Sequence, residues 1–190
     1  MSQRDATGDE PGLIFDKPQY DTPDYEILYH VSTPRYIAVL IICIVTWLMI
    51  LALIWPIMGE FKTYSQNTRF PSPTVIFFAS LIMFLLLSGI IYFSIIRSEG
   101  VTQARTIFWF FMAFNVFLVA WTVDLTIFID EFVRGQASNT GRAGSYLGAL
   151  TVILALVLFY YAWKYSIWAG LAMVLILVWL MYLLYNAWFD

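Results

Sequence analysis

The sequence predicts an all-α polytopic integral membrane protein, in which a bundle of five transmembrane helices follows a short acidic N-terminal tail. Hydrophobic residues make up 61% of the chain and charged residues only 12%, whereas a soluble domain carries about 25% charged residues. The apolar residues fall into five runs, each close to the roughly 20 residues that a helix needs to cross a bilayer. They do not alternate with polar residues, as they would in the strands of a membrane β-barrel. The predicted spans are residues 36–57, 75–96, 106–129, 147–163 and 167–189.

The tail, residues 1–33, is polar and contains seven acidic residues, and residues 34–190 form the predicted transmembrane domain. Three prolines break any long helix in the tail, so an extended conformation is expected for much of it. Residues 24–31 could form a short helix along the membrane surface, because their apolar side chains recur at helical spacing. The tail lacks the apolar core of a cleavable signal peptide, so the first span is expected to act as an uncleaved anchor.

Aromatic and basic residues mark the predicted membrane boundaries, because Trp and Tyr prefer the headgroup region and Lys and Arg extend their charges to it. Residues 147–189 are almost entirely apolar, and one straight helix of that length would reach about 65 Å. That length is twice the ~30 Å of hydrocarbon, so the chain is predicted to turn at residues 164–166. The predicted interfacial anchors are Arg35, Trp55, Trp109, Trp163, Lys164, Trp168 and Trp188.

Small residues within the spans predict where helices pack closely, because they let two backbones approach each other in lipid. The second span is rich in Ser, Ala and Gly, and a Gly-x-x-x-Gly pair leads into the fourth span. The segments between the spans are read as loops, the first of them covering residues 59–73. The predicted helix-packing residues are Ser88, Gly89, Gly144, Gly148, Ala155 and Gly170.

The distribution of Lys and Arg gives a weak prediction of orientation. With five spans, the tail and the second and fourth loops share one side of the membrane, and that side carries six Lys and Arg residues. The other side carries four. The difference favours an N-terminus on the cytoplasmic or matrix side.

The residue content excludes several kinds of site. Cys43 is the only cysteine and His30 the only histidine, so the chain alone forms no disulfide, no cysteine-based metal site and no haem site with two histidines. It contains no Walker loop, no GxGxxG sequence and no Ser-His-Asp set within the spans, and no basic cluster indicates nucleic acid. We expect neither enzymatic activity nor a cofactor. We do expect bound lipid.

Asp124 is the candidate functional residue, because an ionised carboxylate within a membrane span is costly and normally faces a partner, a cavity or water. It lies roughly 7 Å from the predicted midplane at the rise of a helix. Glu131 is seven residues further on and shares its face. The two carboxylates could handle a proton or a cation. The more conservative interpretation is that Asp124 bonds to another helix and that Asp130, Glu131 and Arg134 form a solvated helix end.

The last span carries Trp168-Ala169-Gly170, then Trp179, and Asn186 near its end. This pattern resembles the final helix of the translocator protein and tryptophan-rich sensory protein family, which also has five spans. The proline-rich segment between the first two helices of that family is missing here, as is the Pro-Tyr pair of its last helix. The resemblance is confined to the last span and assigns no family.

Three functions are compatible with these observations. The first is a non-catalytic structural or accessory subunit of a larger membrane complex, with membrane lipids and other membrane subunits as its partners. The second is a small carrier or apolar-ligand-binding protein that uses Asp124. The third is a scaffold that associates with itself through Gly144, Gly148 and the second span.

Overall fold

The computed structural model describes residues 25–189 apart from residues 99–100 and 136–140. Every regular element in these ranges is a helix, which confirms the all-α prediction. Five helices are long and apolar enough to cross a membrane, as expected for a multi-pass membrane protein. The bundle described below belongs to the compact unit Tyr36–Asp190. Residues 1–24, which include most of the predicted acidic tail, lie outside the described residues.

Six α-helices and one 3-10 turn make up the described chain. The 3-10 turn, Trp55–Ile57, connects the first two helices. Several helices extend beyond the predicted spans, because hydropathy marks the residues that cross hydrocarbon and not the residue at which a helix ends. The helices are α1 (Tyr25–Ile54), α2 (Met58–Asn67), α3 (Pro73–Ile96), α4 (Val101–Val133), α5 (Gly141–Tyr165) and α6 (Ile167–Phe189).

Helix α5 packs most closely against α4 and α6 and runs antiparallel to both, as the contacts near its start show. Gly148 near the start of α5 faces Leu184 near the end of α6 and Trp121 in the second half of α4. At the opposite end of the bundle, the Arg97 guanidinium at the end of α3 donates a hydrogen bond to the Tyr165 carbonyl. The ends of α3 and α5 therefore lie together.

Helix α2 corrects the prediction of a loop at residues 59–73. Phe61 and Tyr64 are fully buried, whereas Lys62, Thr63 and Gln66 on the opposite face are exposed. The helix is short and half polar, so its residues raise no hydropathy signal. It forms because its two aromatic side chains pack against α4 and against the chain that follows.

Helix α1 contacts the bundle mainly through one stripe of buried side chains, and the other described residues of the helix are half-buried or exposed. The Trp47 ring packs on Phe77 of α3 with centroids 5.3 Å apart. The stripe recurs every three or four residues, so it follows one face of the helix. It consists of Val39, Cys43, Thr46, Ile50 and Ile54.

A single residue separates α5 from α6, within the predicted turn. Ser166 accepts a hydrogen bond from the Ala169 amide through its hydroxyl oxygen at 3.4 Å, and its carbonyl accepts from the Gly170 amide at 2.9 Å. These bonds cap the start of α6. A Cβ built at Gly170 would lie 3.1 Å from the Trp163 Cα atom, so glycine lets the two helices meet tightly beside the turn.

Candidate functional site

The second half of α4 carries the carboxylates singled out in the sequence. Asp124 and Glu131 are both half-buried and lie beside the fully buried face of the helix, not on it. Residues at spacings of three and four share one side of a helix, so Asp124 continues a line of half-buried residues. We call this line the α4 flank, and it consists of Ala113, Phe117, Ala120 and Asp124.

Aromatic contacts fix the depth of Asp124 in the bundle. Tyr64 of α2 meets the rings of Phe128 and Phe132 with centroids 6.0 and 5.0 Å apart. Because the outer face of α2 is polar, we expect Phe128 to lie near the boundary with water. Asp124 is one turn, about 6 Å, further into the bundle. Among the described residues, none hydrogen-bonds or ion-pairs with its carboxylate.

Asp130 and Arg134 form an ion pair at the end of α4. The Arg134 Nε atom donates to Asp130 Oδ1 at 2.9 Å. The Arg134 side chain is 64% exposed and the Asp130 side chain 31% exposed. The spacing of four residues permits this pair within one helix. Solvent screens such an exposed pair, and it belongs to the helix end, not to a buried relay.

We expect Asp130→Asn to change the free energy of unfolding by less than about 0.5 kcal/mol, because exposed helix pairs at this spacing contribute only that much. Unfolding in mixed detergent micelles, followed by circular dichroism, would measure the change. A loss several times larger would show that the pair supports more than the helix end.

A small, partly open cavity lies among α1, α3, α4 and α6 beneath α2. Its volume is about 50 Å³, enough for one water at about 30 Å³ each and far too small for a porphyrin, sterol or quinone. The Ser80 and Thr122 hydroxyls line it and donate to carbonyls of their own helices at 3.0 and 2.9 Å. Its apolar lining includes Ile50, Ile76, Met83, Leu118, Trp121 and Leu180.

Among the described residues, the buried polar atoms Trp47 Nε1, Trp121 Nε1 and Asn115 Oδ1 have no hydrogen-bond partner. The Asn115 side-chain nitrogen donates to the Phe111 carbonyl at 2.7 Å. The sequence places Asn115 away from Asp124, and the structure buries it in the core. A polar residue amid an apolar span is the only signal that could have marked it as a packing constraint.

The predicted packing residues occupy different environments. Ser88 and Ala155 are buried, Gly148 and Gly170 face neighbouring side chains closely, and Gly89 has open space where a Cβ would lie. The surroundings of Gly144 lie outside the described residues, as do the side chains of Arg35 and Trp188. The other predicted anchors are exposed, and they are Trp55, Trp109, Trp163, Lys164 and Trp168.

Across the described part of the chain, His, Cys, Asp and Glu side chains form no group of three that could hold a metal ion. No protein-family model, curated protein or solved structure matches this chain. The α4 flank is therefore the candidate functional site on the evidence of its geometry alone.

Proposed function

We propose that this chain is a non-catalytic accessory subunit of a larger membrane complex, and that a partner helix docks on the α4 flank. The observation that carries the proposal is the position of Asp124. Asp124 is half-buried on the side of α4, one helical turn from Phe128, with Ala113 and Ala120 on the same line. Membrane lipids surround the remaining apolar surface.

The energetics favour a protein partner over lipid at this position. A carboxylate at the centre of a span costs about 2.5–3.5 kcal/mol on insertion scales, and a smaller cost remains one turn from the boundary. A hydrogen-bond donor or a cation on a neighbouring helix would offset that cost. Ala113 and Ala120 would allow the second backbone to come close enough to place such a group.

The other two functions receive less support. A carrier would need a path or a pocket that includes Asp124, whereas the cavity of about 50 Å³ is lined by neighbouring residues of the buried face of α4 and not by Asp124. A scaffold would need Gly148 on its outer surface, but Gly148 is buried and faces Trp121 and Leu184.

The proposal is tested by extracting the tagged full chain gently from its own membrane and identifying the co-purifying proteins by mass spectrometry. We expect defined membrane proteins in fixed stoichiometry with the wild type, and about tenfold or greater loss of the partner with Asp124→Asn. That loss corresponds to one hydrogen bond to a charged group.

Asp130→Asn is the matched control, because it removes the same charge from the same helix outside the α4 flank. Helix content and yield should be equal in both variants. Recovery of the wild type as a lone monomer would overturn the subunit proposal. Equal partner retention by the two variants would instead overturn the α4 flank as the docking surface.

A further inference from the structure

An open groove lies on the bundle surface between α3 and the start of α6. Its volume is about 290 Å³. A Cβ built at Gly89 would meet no atom within 4 Å, so the missing side chain of Gly89 helps to form the groove. From Leu85 to Phe93 the α3 wall runs about 12 Å at the rise of a helix. The walls include Leu85, Gly89, Phe93, Ser166, Trp168 and Ala169.

Positive charge gathers at one end of this apolar groove. The Arg97 guanidinium lies 5.9 Å from the centroid of the Phe93 ring and donates to the Tyr165 carbonyl at 3.3 Å. Lys164, beside Tyr165 in sequence, places its ammonium 5.3 Å from the Tyr165 ring centroid. Both cations are exposed, so they are accessible to a ligand from the surrounding medium.

Trp168 marks the same end as a membrane boundary. Its side chain is 80% exposed and forms part of the groove wall. Tryptophan prefers the headgroup level, where its ring contacts acyl chains and its N–H contacts polar groups. We therefore expect lipid phosphates at the depth of Arg97 and Lys164, and hydrocarbon at the depth of Leu85 and Gly89.

We infer that the groove binds one acyl chain of an anionic phospholipid whose headgroup contacts Arg97. The arrangement of cations above and apolar walls below matches an amphipathic anion. Arginine suits the phosphate because its planar guanidinium can donate two parallel hydrogen bonds. Bulk lipid is as apolar as the groove, so the acyl chain is held by van der Waals contact with the groove walls, whereas the headgroup charge provides the selectivity.

The test is native mass spectrometry of the full chain, released from detergent with phosphatidylglycerol or phosphatidylcholine of identical acyl chains. We expect the wild type to retain one phosphatidylglycerol in preference to phosphatidylcholine. Arg97→Gln should lower that preference about fivefold, as expected for one basic residue near an anionic headgroup. Gly89→Leu should remove the bound lipid of either kind, because the new side chain fills the groove.

Two controls separate these effects from general changes in charge or apolar surface. Arg69→Gln removes an exposed cation at the opposite end of α3, and Ala52→Leu enlarges an exposed residue of α1; both should bind lipid like the wild type. Equal retention of the two lipids by the wild type would overturn the inference, as would undiminished retention by Gly89→Leu. A dimer that Gly89→Leu dissociates would also overturn it, because a second copy would then occupy the groove.

Discussion

Replacing Tyr64 by alanine is expected to lower the free energy of unfolding by about 3–5 kcal/mol, the cost of removing a large buried aromatic side chain. Tyr64 is fully buried, and its ring meets Phe70, Phe128 and Phe132 with centroids 5.0–6.0 Å apart. Its removal leaves a cavity between α2 and α4. Phe61 then remains as the one buried side chain that packs α2 against the bundle.

Unfolding of the full chain in mixed micelles, followed by tryptophan fluorescence, measures this loss. Lys62→Ala is the matched control on the same helix, since Lys62 is exposed, and it should change stability by less than about 0.5 kcal/mol. A similar, small effect for both variants would show that α2 does not contribute to the stability of the bundle.

A methyl group at Gly148 is expected to destabilise the bundle by about 1–3 kcal/mol, as overpacking does in a close-packed interior. The new Cβ atom would lie 2.8 Å from Leu184 Cδ1 and 2.8 Å from Trp121 Cε2. Trp121 is 3% exposed and cannot move without displacing its neighbours. The clash separates α5 from both α4 and α6, the closest contacts of the fold.

Gly89→Ala provides the comparison, because nothing lies within 4 Å of the Cβ position there. Alanine is more favourable than glycine in a helix by up to about 1 kcal/mol, so this variant should be neutral or more stable. In the same unfolding measurement, the Ala substitution at Gly148 should therefore be destabilising and the one at Gly89 should not. Destabilisation of equal size at both positions would contradict the close packing described for Gly148.

The membrane-length helices were predictable because burial in lipid demands long apolar runs whatever the packing partner. Which face of each helix points inward was not predictable. The spans are apolar on all sides, so the periodic contrast that identifies the buried face of a soluble helix is nearly lost. The sequence predicted both Gly89 and Gly148 as packing residues, yet Gly89 faces open space and Gly148 faces Trp121.

Helix α2 was missed for the opposite reason. Its buried side chains, Phe61 and Tyr64, lie among polar residues, so hydropathy reads the segment as a loop. The candidate site was only half predictable. The cost of a charge in hydrocarbon singles out Asp124 from sequence alone, but the α4 flank depends on how α4 rotates against α2 and α5.

The one-residue break at Ser166 constrains how the chain is made. Two membrane-length helices are joined by a single residue. The connection is too short for one helix to remain in water while the other crosses the bilayer. Unpaired backbone groups are costly in hydrocarbon, so neither α5 nor α6 can be threaded in as an extended strand. We therefore expect the pair to form a helical hairpin and to enter the membrane as one unit.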